Sequence, residues 1–382
     1  MPFKANGIRL SSKKFGTEDI ITLREDWKEF AKKIPKYKNK FKGKGIVYTA
    51  GGLRYTTCAI VSISMLRETG CKLPVELWYL GNELSQDVIE TFKSLDVVCR
   101  NFLEIGKVNL TGYMLKPLAI INSSFEEVLF IDADNNCVSD PTDLFDCAQY
   151  LESGALFWPD YWKTSKNNSI WSIIDTKTYD VPEQESGQII VNKRKCWKEL
   201  ELCLHFNKLG MYYYQIIHGD KDTFKFAWLA LKSPFNMIQY PVGSCGYMLG
   251  GYFFGTTMVQ HHPNGKVLFL HRNLLKWDVT KEDEYSWEII KTFKVNTKNK
   301  RILLKDSPEG HLAVDIEGEI SVYDFNECFG DYESKCLAFL KKWKDSVVYK
   351  DFLEYSHFSA NRYSSGIPFS LKVEEDVSLH PI

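Results

Sequence analysis

Short apolar runs alternate with stretches of helical periodicity between residues 45 and 280. The runs are short and are bounded by glycine, proline or charged residues, which is typical of strands buried on both faces of a sheet. Helical periodicity follows most of them, and this alternation predicts an α/β domain with a mostly parallel central sheet flanked by helices. The predicted strands are 45–50, 75–80, 97–99, 128–131, 155–158, 189–191 and 267–270.

The two ends of the chain have a different character. The first part is polar and rich in lysine, with one amphipathic helical stretch at 17–33. Beyond residue 280 the pattern loosens, and alternating residues at 301–324 predict antiparallel strands before a helical stretch at 336–343. The predicted division is a peripheral N-terminal lead-in (1–44), an α/β domain (45–280) and a small α+β C-terminal extension (281–382).

Charge and cysteine content exclude several classes of protein. The 48 Lys and Arg residues nearly balance the 49 Asp and Glu residues, so the net charge of -1 does not favour nucleic acid or an anionic membrane surface as a partner. The 10 cysteines are scattered without a CxxC or zinc-ligand spacing, and we expect reduced thiols. No apolar stretch has the length of a signal peptide or a transmembrane segment, so the expected location is cytoplasmic.

Two carboxylates stand at the end of the most apolar strand. Asp132, Ala133 and Asp134 directly follow the run 128–131. Side chains two residues apart point roughly the same way in an extended chain, so both carboxylates can approach one Mg²⁺ or Mn²⁺ ion. In open α/β sheets the ligand crevice lies at this end of the strands, which favours a metal site that holds a diphosphate. An Asp-x-Asp by itself is also typical of solvated turns and helix caps.

Other candidate residues stand at further strand ends. Gly51 and Gly52 follow the first strand and precede a helix, where the backbone can approach a ligand closely. They do not form a GxGxxG motif, which disfavours a Rossmann dinucleotide site. Lys116 precedes the Asp-x-Asp strand and is either a phosphate contact or an ordinary surface lysine.

Three more polar positions have both a functional and a structural interpretation. Glu185 lies at the mouth of the strand 189–191 and can face a substrate or cap local backbone N–H groups. Asp220 or Asp222 can serve as the N-cap of the helix that follows. His271 directly follows the last apolar strand, and a histidine in such a place is more often structural than metal-bound.

Taken together, these stretches resemble one family of enzymes. The chain is similar to the nucleotide-diphospho-sugar (GT-A) glycosyltransferases, and specifically to the fungal-type α-mannosyltransferases of glycosyltransferase family 71. The resemblance extends over roughly residues 45 to 280, which it identifies as a GT-A catalytic domain. The matching stretches are GIVYTAGG at 45–52, LPVELWYLG at 73–81, KPLAIINSSFEEVLFIDADNNCVSDPTDLF at 116–145, GALFWPDYW at 154–162, ESGQIIVNK at 185–193, GDKDTFKFAW at 219–228 and MVQHHPNGKVLFLHRNLLKW at 258–277.

The resemblance implies a role for each matching position. It implies a metal site of Asp132, Asp134 and His271 for Mn²⁺ or Mg²⁺, and a nucleotide-sugar donor, with GDP-mannose favoured over a UDP-sugar. Members are retaining enzymes, so the new bond would keep the α configuration. The implied donor-binding residues are Ala50, Gly51, Gly52, Tyr55, Lys116, Asp132, Ala133, Asp160, Asp220, Lys221 and Lys276. The implied catalytic residues beside the anomeric carbon are Glu185, Gln188 and Asp222.

Several alternatives remain open at this point. Fungal members carry an N-terminal membrane anchor that this sequence lacks, so the expected glycan or glycoprotein acceptor could be replaced by another one. A sugar nucleotidyltransferase would want a glycine-rich loop with Arg or Lys after the first strand, where this chain has only AGGLR. A non-catalytic carbohydrate-binding protein would not need the set of Asp132, Asp134 and His271. The sequence does not predict an oligomeric state.

Overall fold

A computed structural model of the protein describes residues 7–11, 13–106, 112–308 and 310–364. The outer ends of the predicted lead-in and of the predicted C-terminal extension, residues 1–6 and 365–382, lie outside the described residues. The strands are β1 (Ile8–Arg9), β2 (Lys44–Thr49), β3 (Val75–Tyr79), β4 (Val97–Asn101), β5 (Glu127–Ile131), β6 (Asn135–Cys137), β7 (Ala155–Thr164), β8 (Pro182–Asn192), β9 (Asn236–Met237), β10 (Gly243–Leu249), β11 (Tyr252–His261), β12 (Val267–His271), β13 (Ile289–Phe293), β14 (Lys300–Asp306), β15 (Leu312–Gly318) and β16 (Ile320–Asp324).

Helices separate most of these strands. They are α1 (Thr17–Lys33), α2 (Gly52–Glu68), α3 (Gln86–Lys93), α4 (Leu115–Asn122), α5 (Ala148–Ser153), α6 (Ser169–Ile173), α7 (Trp197–Lys208), α8 (Gly210–Tyr213), α9 (Lys221–Leu231), α10 (Phe325–Phe329), α11 (Tyr332–Asp345) and α12 (Val347–Ser364). None of the helices in the described part of the chain has the length and apolar character needed to cross a bilayer.

The central sheet has the strand order β1-β7-β8-β5-β2-β3-β4, with β9 paired to β7. The pairings of β5, β2, β3 and β4 are parallel, and β8 runs antiparallel to both of its neighbours. The predicted α/β class, with a mostly parallel central sheet flanked by helices, is confirmed. The residues 128–131 of β5 are fully buried because both faces of the sheet are covered. One face packs against α2 and α11, and the other packs against α4, α7 and α9.

A second sheet has the order β16-β13-β10-β11-β12-β6. The residues 234–257 are rich in glycine, tyrosine and phenylalanine, and they contribute β9, β10 and the start of β11. The strands β10 and β11 pair as a long antiparallel hairpin. The chain enters this sheet directly from β5, through the turn of Asp132, Ala133 and Asp134 into β6. This turn is therefore the junction between the two sheets.

Segments from both ends of the chain pack on the α/β domain. Trp27 of α1 donates its indole N–H to the carbonyl of Ile173, 2.8 Å away. Trp343 of α11 donates to the hydroxyl of Thr57 in α2 at 3.1 Å, and β13 and β16 extend the second sheet. The terminal segments therefore share a core with the α/β domain, since Trp343 is buried in the same cluster as β2 and β5.

A buried histidine makes the stability of this fold depend on pH. His261 at the end of β11 is 6% exposed, and its ring lies against Tyr240 with a centroid separation of 5.6 Å. Burial lowers the pKa of His261 to about 4, because a charged ring would lose its hydration. The unfolded chain binds the proton at the ordinary pKa of about 6.5. The stability that the neutral ring contributes is thus present above pH 6.5 and is lost as the pH falls toward 4.

We expect His261→Phe to reduce the acid sensitivity of folding, because phenylalanine cannot take up a proton. Between pH 8 and pH 5, the free energy of unfolding should fall by about 2 kcal/mol more in the native protein than in the variant. Urea unfolding of both proteins at the two pH values measures this difference. An equal fall in both proteins would contradict the assignment of a buried neutral His261.

Candidate active site

The backbone of the Asp132–Asp134 turn is held from two sides. The amide of Asp132 donates to the carbonyl of Gly187 in β8 at 2.8 Å. On the other side, the amide of Arg272 donates to the carbonyl of Asp134 at 2.9 Å. The turn is therefore fixed between the central sheet and the end of β12, and its two carboxylates have defined positions.

Asp132, Asp134 and His271 meet at this turn. The register of the second sheet pairs His271 with Asn135, so the imidazole lies next to Asp134. Its Nε2 is 3.1 Å from Asp134 Oδ1, and one ligand atom from each of the three residues lies within 4.8 Å of the others. Two carboxylates and one imidazole are a donor set that suits Mn²⁺, and the carboxylates alone suit Mg²⁺. The residues predicted to bind a metal therefore fit one.

Lys276 lies on the open side of this cluster. Its Nζ contacts Asp134 Oδ2, and it stands 5.6 Å from the centroid of the Tyr55 ring. Burial lowers the pKa of Lys276 from its ordinary value. The side chain is 20% exposed and Tyr55 is 44% exposed, so the lysine stands between the two carboxylates of the turn and solvent.

Lys116 lies beneath Asp132 and is almost fully enclosed. Its ammonium donates to Asp132 Oδ2 at 3.0 Å, to the carbonyl of Ser186 at 2.9 Å and to the Ser186 hydroxyl at 2.8 Å. Asp220 Oδ2 is 3.4 Å away. Burial opposes the charge, but the carboxylates of Asp132, Asp220 and Glu185 outweigh it and raise the pKa of Lys116. Lys116 therefore remains charged and holds Asp132 in place.

Glu185 approaches His271 from the other side of the ring. Its Oε1 is 3.7 Å from His271 Nδ1 and accepts a hydrogen bond from the amide of Gly187 at 2.9 Å. Burial raises the pKa of Glu185, although the proximity of His271 lowers it. A carboxylate beside the second nitrogen of a metal-binding histidine is a common means of fixing the orientation of the ring.

Gly187 gives the imidazole its space. A Cβ at this position would lie 2.5 Å from His271 Nδ1, which is closer than any ordinary contact. Gly187 was not among the predicted site residues, because the strand was predicted only at 189–191, whereas β8 extends from Pro182 to Asn192. A glycine inside a strand often marks the close approach of another group.

Gln188, predicted to be catalytic, is fully buried in a chain of side-chain amides. Its Oε1 accepts from Asn135 Nδ2 at 2.6 Å, and its Nε2 donates to Gln260 Oε1 at 2.7 Å. These bonds connect β8 with β6 and β11. The structure thus places Gln188 behind the candidate metal-binding residues, at the junction of the two sheets.

Asp160 and Lys221, predicted to bind the donor, contact each other. Lys221 Nζ reaches Asp160 Oδ2 and donates to Glu183 Oε2 at 2.7 Å. Arg9 of β1 donates its Nε to the same Glu183 oxygen at 2.8 Å. Burial opposes the charge on Lys221, but Asp160 and Glu183 together raise its pKa. Sequence reasoning missed Arg9 and Glu183, since only the folded chain brings them together.

Asp222, the third predicted catalytic residue, belongs to the same buried cluster. It is 1% exposed, and its Oδ1 accepts from the amide of Gln184 at 2.9 Å and pairs with Lys225 Nζ at 2.8 Å. Burial raises the pKa of this carboxyl, but Lys225 and Lys221 lower it further, so the net shift is downward. The cluster holds three acidic and three basic side chains, which balance in charge: Arg9, Asp160, Glu183, Lys221, Asp222 and Lys225.

Four of the predicted donor-binding residues, Ala50, Gly51, Gly52 and Tyr55, lie just after the end of β2. Ala50 is buried, and Gly51 caps α2 in an extended conformation. A Cβ on Gly51 would clash with the side chain of Glu83, 2.0 Å from its Oε2, so the glycine lets Glu83 approach the end of β2. Gly52 has a φ of +64° and open space around it. Tyr55 connects this group to the metal-binding cluster through Lys276, and Ala133 is buried within the turn.

We expect Gly187→Ala to weaken metal binding without unfolding the protein. The added methyl group would displace the imidazole of His271, while the strand conformation of β8 accepts alanine. Displacing a metal ligand in this way should lower the affinity for Mn²⁺ by about tenfold or more. Titration with Mn²⁺, followed by electron paramagnetic resonance of the free ion, measures the effect. Gly16→Ala is the matched control, because its Cβ would meet only Asp19 at 3.8 Å; equal affinity in both variants would contradict the prediction.

A family model and curated relatives of this chain are described as mannosyltransferases. A family model described as "Mannosyltransferase putative" matches residues 43–184 and 176–262, which together span more than half of the chain. The chain is 29% identical to Alpha-1,2-mannosyltransferase MNN24 of Candida albicans over 90% of its own length and 52% of that protein. It is 27% identical to Alpha-1,2-mannosyltransferase MNN2 of Saccharomyces cerevisiae, covering 64% of this chain and 50% of that protein. The chain spans about half the length of the curated relatives it matches.

Solved structures give weaker matches. The galactosyltransferase LgtC in complex with donor and acceptor sugar analogues has a TM-score of 0.37 and 12% identity, covering 52% of this chain and 73% of that one. Mouse xyloside xylosyltransferase 1 has a TM-score of 0.34 and 14% identity, covering 52% and 85%. No functional assignment rests on these two matches. The family model carries the assignment, and the chain belongs to this mannosyltransferase family.

Proposed function

We propose that the chain is a metal-dependent retaining glycosyltransferase that transfers mannose from GDP-mannose to a hydroxyl group of a glycan acceptor with α linkage. The observation that carries the proposal is the convergence of Asp132, Asp134 and His271, with Lys276 at its open side. Membership of the family supports mannosyltransferase activity. Two relatives are named as alpha-1,2-mannosyltransferases, which supports mannose as the transferred sugar and an α linkage in the product.

The reaction requires that negative charge on the departing diphosphate be stabilised. A bound Mn²⁺ or Mg²⁺ would supply Lewis-acid stabilisation of that charge. Asp132, Asp134 and His271 would hold the ion. Lys276 is the lysine with the freedom to turn from Asp134 toward a phosphate, because its side chain is partly exposed. An ammonium aimed at the leaving group acts as the charge develops, which is the most effective form of electrostatic catalysis.

Lys116 has a different role in this proposal. An ammonium has three N–H donors, and those of Lys116 are already directed at Asp132 and at two oxygens of Ser186. It would have to give up one of these bonds to reach a diphosphate. We therefore assign Lys116 to the positioning of Asp132, in place of the direct phosphate contact that the resemblance implies.

Retention of configuration can be achieved in two ways. A protein carboxylate can attack first, or the acceptor oxygen can enter on the face that the diphosphate leaves. In the second route the bond from the anomeric carbon to the diphosphate breaks, the acceptor oxygen forms the new bond, and a phosphate oxygen takes the acceptor proton. The contacts favour this route, because Asp222 is buried between Lys225 and Gln184, and Glu185 is engaged by Gly187 and His271.

We expect a panel of nucleotide sugars with Mn²⁺ to show turnover of GDP-mannose in the presence of a mannoside acceptor. Asp134→Ala should lower the rate by about a hundredfold or more, because the diphosphate charge loses its stabilisation. Asp146→Ala is the matched control, since Asp146 forms an exposed pair with Lys44 near the start of β5. If a UDP-sugar is turned over and GDP-mannose is not, the donor is a UDP-sugar and the proposed donor is wrong. The metal-site assignment fails if no donor is used or if Asp134→Ala keeps full activity.

We expect Glu185→Gln to retain transfer at saturating Mn²⁺, within about tenfold of the native rate, because glutamine still accepts the Gly187 N–H. Its apparent affinity for Mn²⁺ should fall, because His271 loses a charged neighbour. Rates over a range of Mn²⁺ concentrations separate the two effects. A loss of about a thousandfold or more with intact Mn²⁺ binding, or a glycosylated Glu185 found by mass spectrometry, would instead identify Glu185 as the nucleophile.

A further inference from the structure

Arg272 directly follows the metal-binding His271, and its side chain is fully buried. Alternation along β12 sends this side chain away from the metal-binding cluster. Its guanidinium lies 3.8 Å from the centroid of the Trp277 ring and 5.2 Å from that of Trp287. A fully buried arginine at this position needs partners for all of its donors, because an unpaired charge in the interior is costly.

The three groups that accept hydrogen bonds from the Arg272 side chain belong to the loop of residues 273–288 between β12 and β13. Arg272 Nε donates to the carbonyl of Leu275 at 2.9 Å, Nη2 to the hydroxyl of Thr280 at 2.7 Å and Nη1 to the hydroxyl of Ser286 at 2.8 Å. The loop is therefore wrapped around a single guanidinium. Lys276, which contacts Asp134, lies inside the wrapped segment.

The charge of Arg272 is balanced from outside the loop. Glu333 at the start of α11 is 3% exposed, and its Oε1 lies 3.7 Å from Arg272 Nη1. The same carboxylate accepts from the amide of Ser286 at 2.8 Å and from the amide of Trp287 at 3.0 Å. Lys344 of the same helix donates to the carbonyl of Thr280 at 2.7 Å. Glu333 thus fixes the far end of the loop whose near end begins at His271.

We propose that Glu333 and Arg272 are a positioning pair that holds His271 and Lys276 in place for the metal site. Glu333 lies beyond residue 262, the last residue that the family model matches, so the proposal extends the site into a segment outside the matched residues. This inference rests on the proposed metal-dependent function, which it extends to the C-terminal part of the chain. Neither residue is catalytic, because neither reaches the metal-binding oxygens.

The test is the affinity of the full chain for Mn²⁺ alone, measured by electron paramagnetic resonance of the free ion. Glu333→Gln should weaken the affinity by about tenfold, because the loop loses the charge that holds Arg272. Asp331→Asn is the matched control, because it removes a carboxylate charge at the exposed start of the same helix. Asp331 pairs with Lys335 at 3.3 Å, away from the loop, so this variant should bind Mn²⁺ like the native protein. Circular dichroism establishes that each variant is folded.

A second variant covers the case in which Glu333→Gln does not fold. Arg272→Met with Glu333→Gln removes both charges, so no unpaired charge remains buried, but the three bonds from Arg272 to the loop are lost. This double variant should fold and still bind Mn²⁺ weakly. Native affinity in either folded variant would overturn the inference while leaving the proposed function intact. Failure of the native protein to bind Mn²⁺ would overturn both.

Discussion

The pairing of β6 with β12 is the constraint on which the candidate site depends. The chain leaves the central sheet at Ile131 and enters the second sheet at Asn135, so the turn between them has only three residues. Because Asn135 is paired with His271, the last residue of that turn must lie beside the imidazole. A shift of one residue in this register would send His271 to the opposite face of the sheet. The grouping of Asp132, Asp134 and His271 is thus set by backbone hydrogen bonds, and side-chain contacts refine it.

Lysine side chains balance the negative charge of the buried carboxylates at the turn and in the neighbouring cluster. Lys116 and Lys276 stand beside Asp132 and Asp134, and Lys221 stands between Asp160 and Glu183. Each pairing offsets the loss of hydration that burial imposes on a charge. The two lysines at the turn differ in exposure, since the side chain of Lys116 is 10% exposed and that of Lys276 is 20% exposed. This difference is the reason that the proposed phosphate contact is assigned to Lys276.

The pattern of apolar runs predicted β2, β3, β4, β5, β7 and β8 of the central sheet, but not its short strands β1 and β9. The family resemblance implied that Asp132, Asp134 and His271 form one group, and in the structure one ligand atom from each lies within 4.8 Å of the others. The sequence was not sufficient for Gln188, because its partners Asn135 and Gln260 come from other strands. The roles of Arg9 and Glu333 also depend on tertiary packing, which local patterns do not encode.

The short strand β1 has a consequence for how the protein behaves in concentrated solution. It is an edge strand of the central sheet, and its residues Ile8 and Arg9 pair with β7. Loss of the bond from Arg9 to Glu183 would weaken the attachment of β1, and release of β1 would leave the edge of β7 open to pairing with a foreign strand. Protection of this edge and the charge balance of the buried cluster therefore depend on the same arginine.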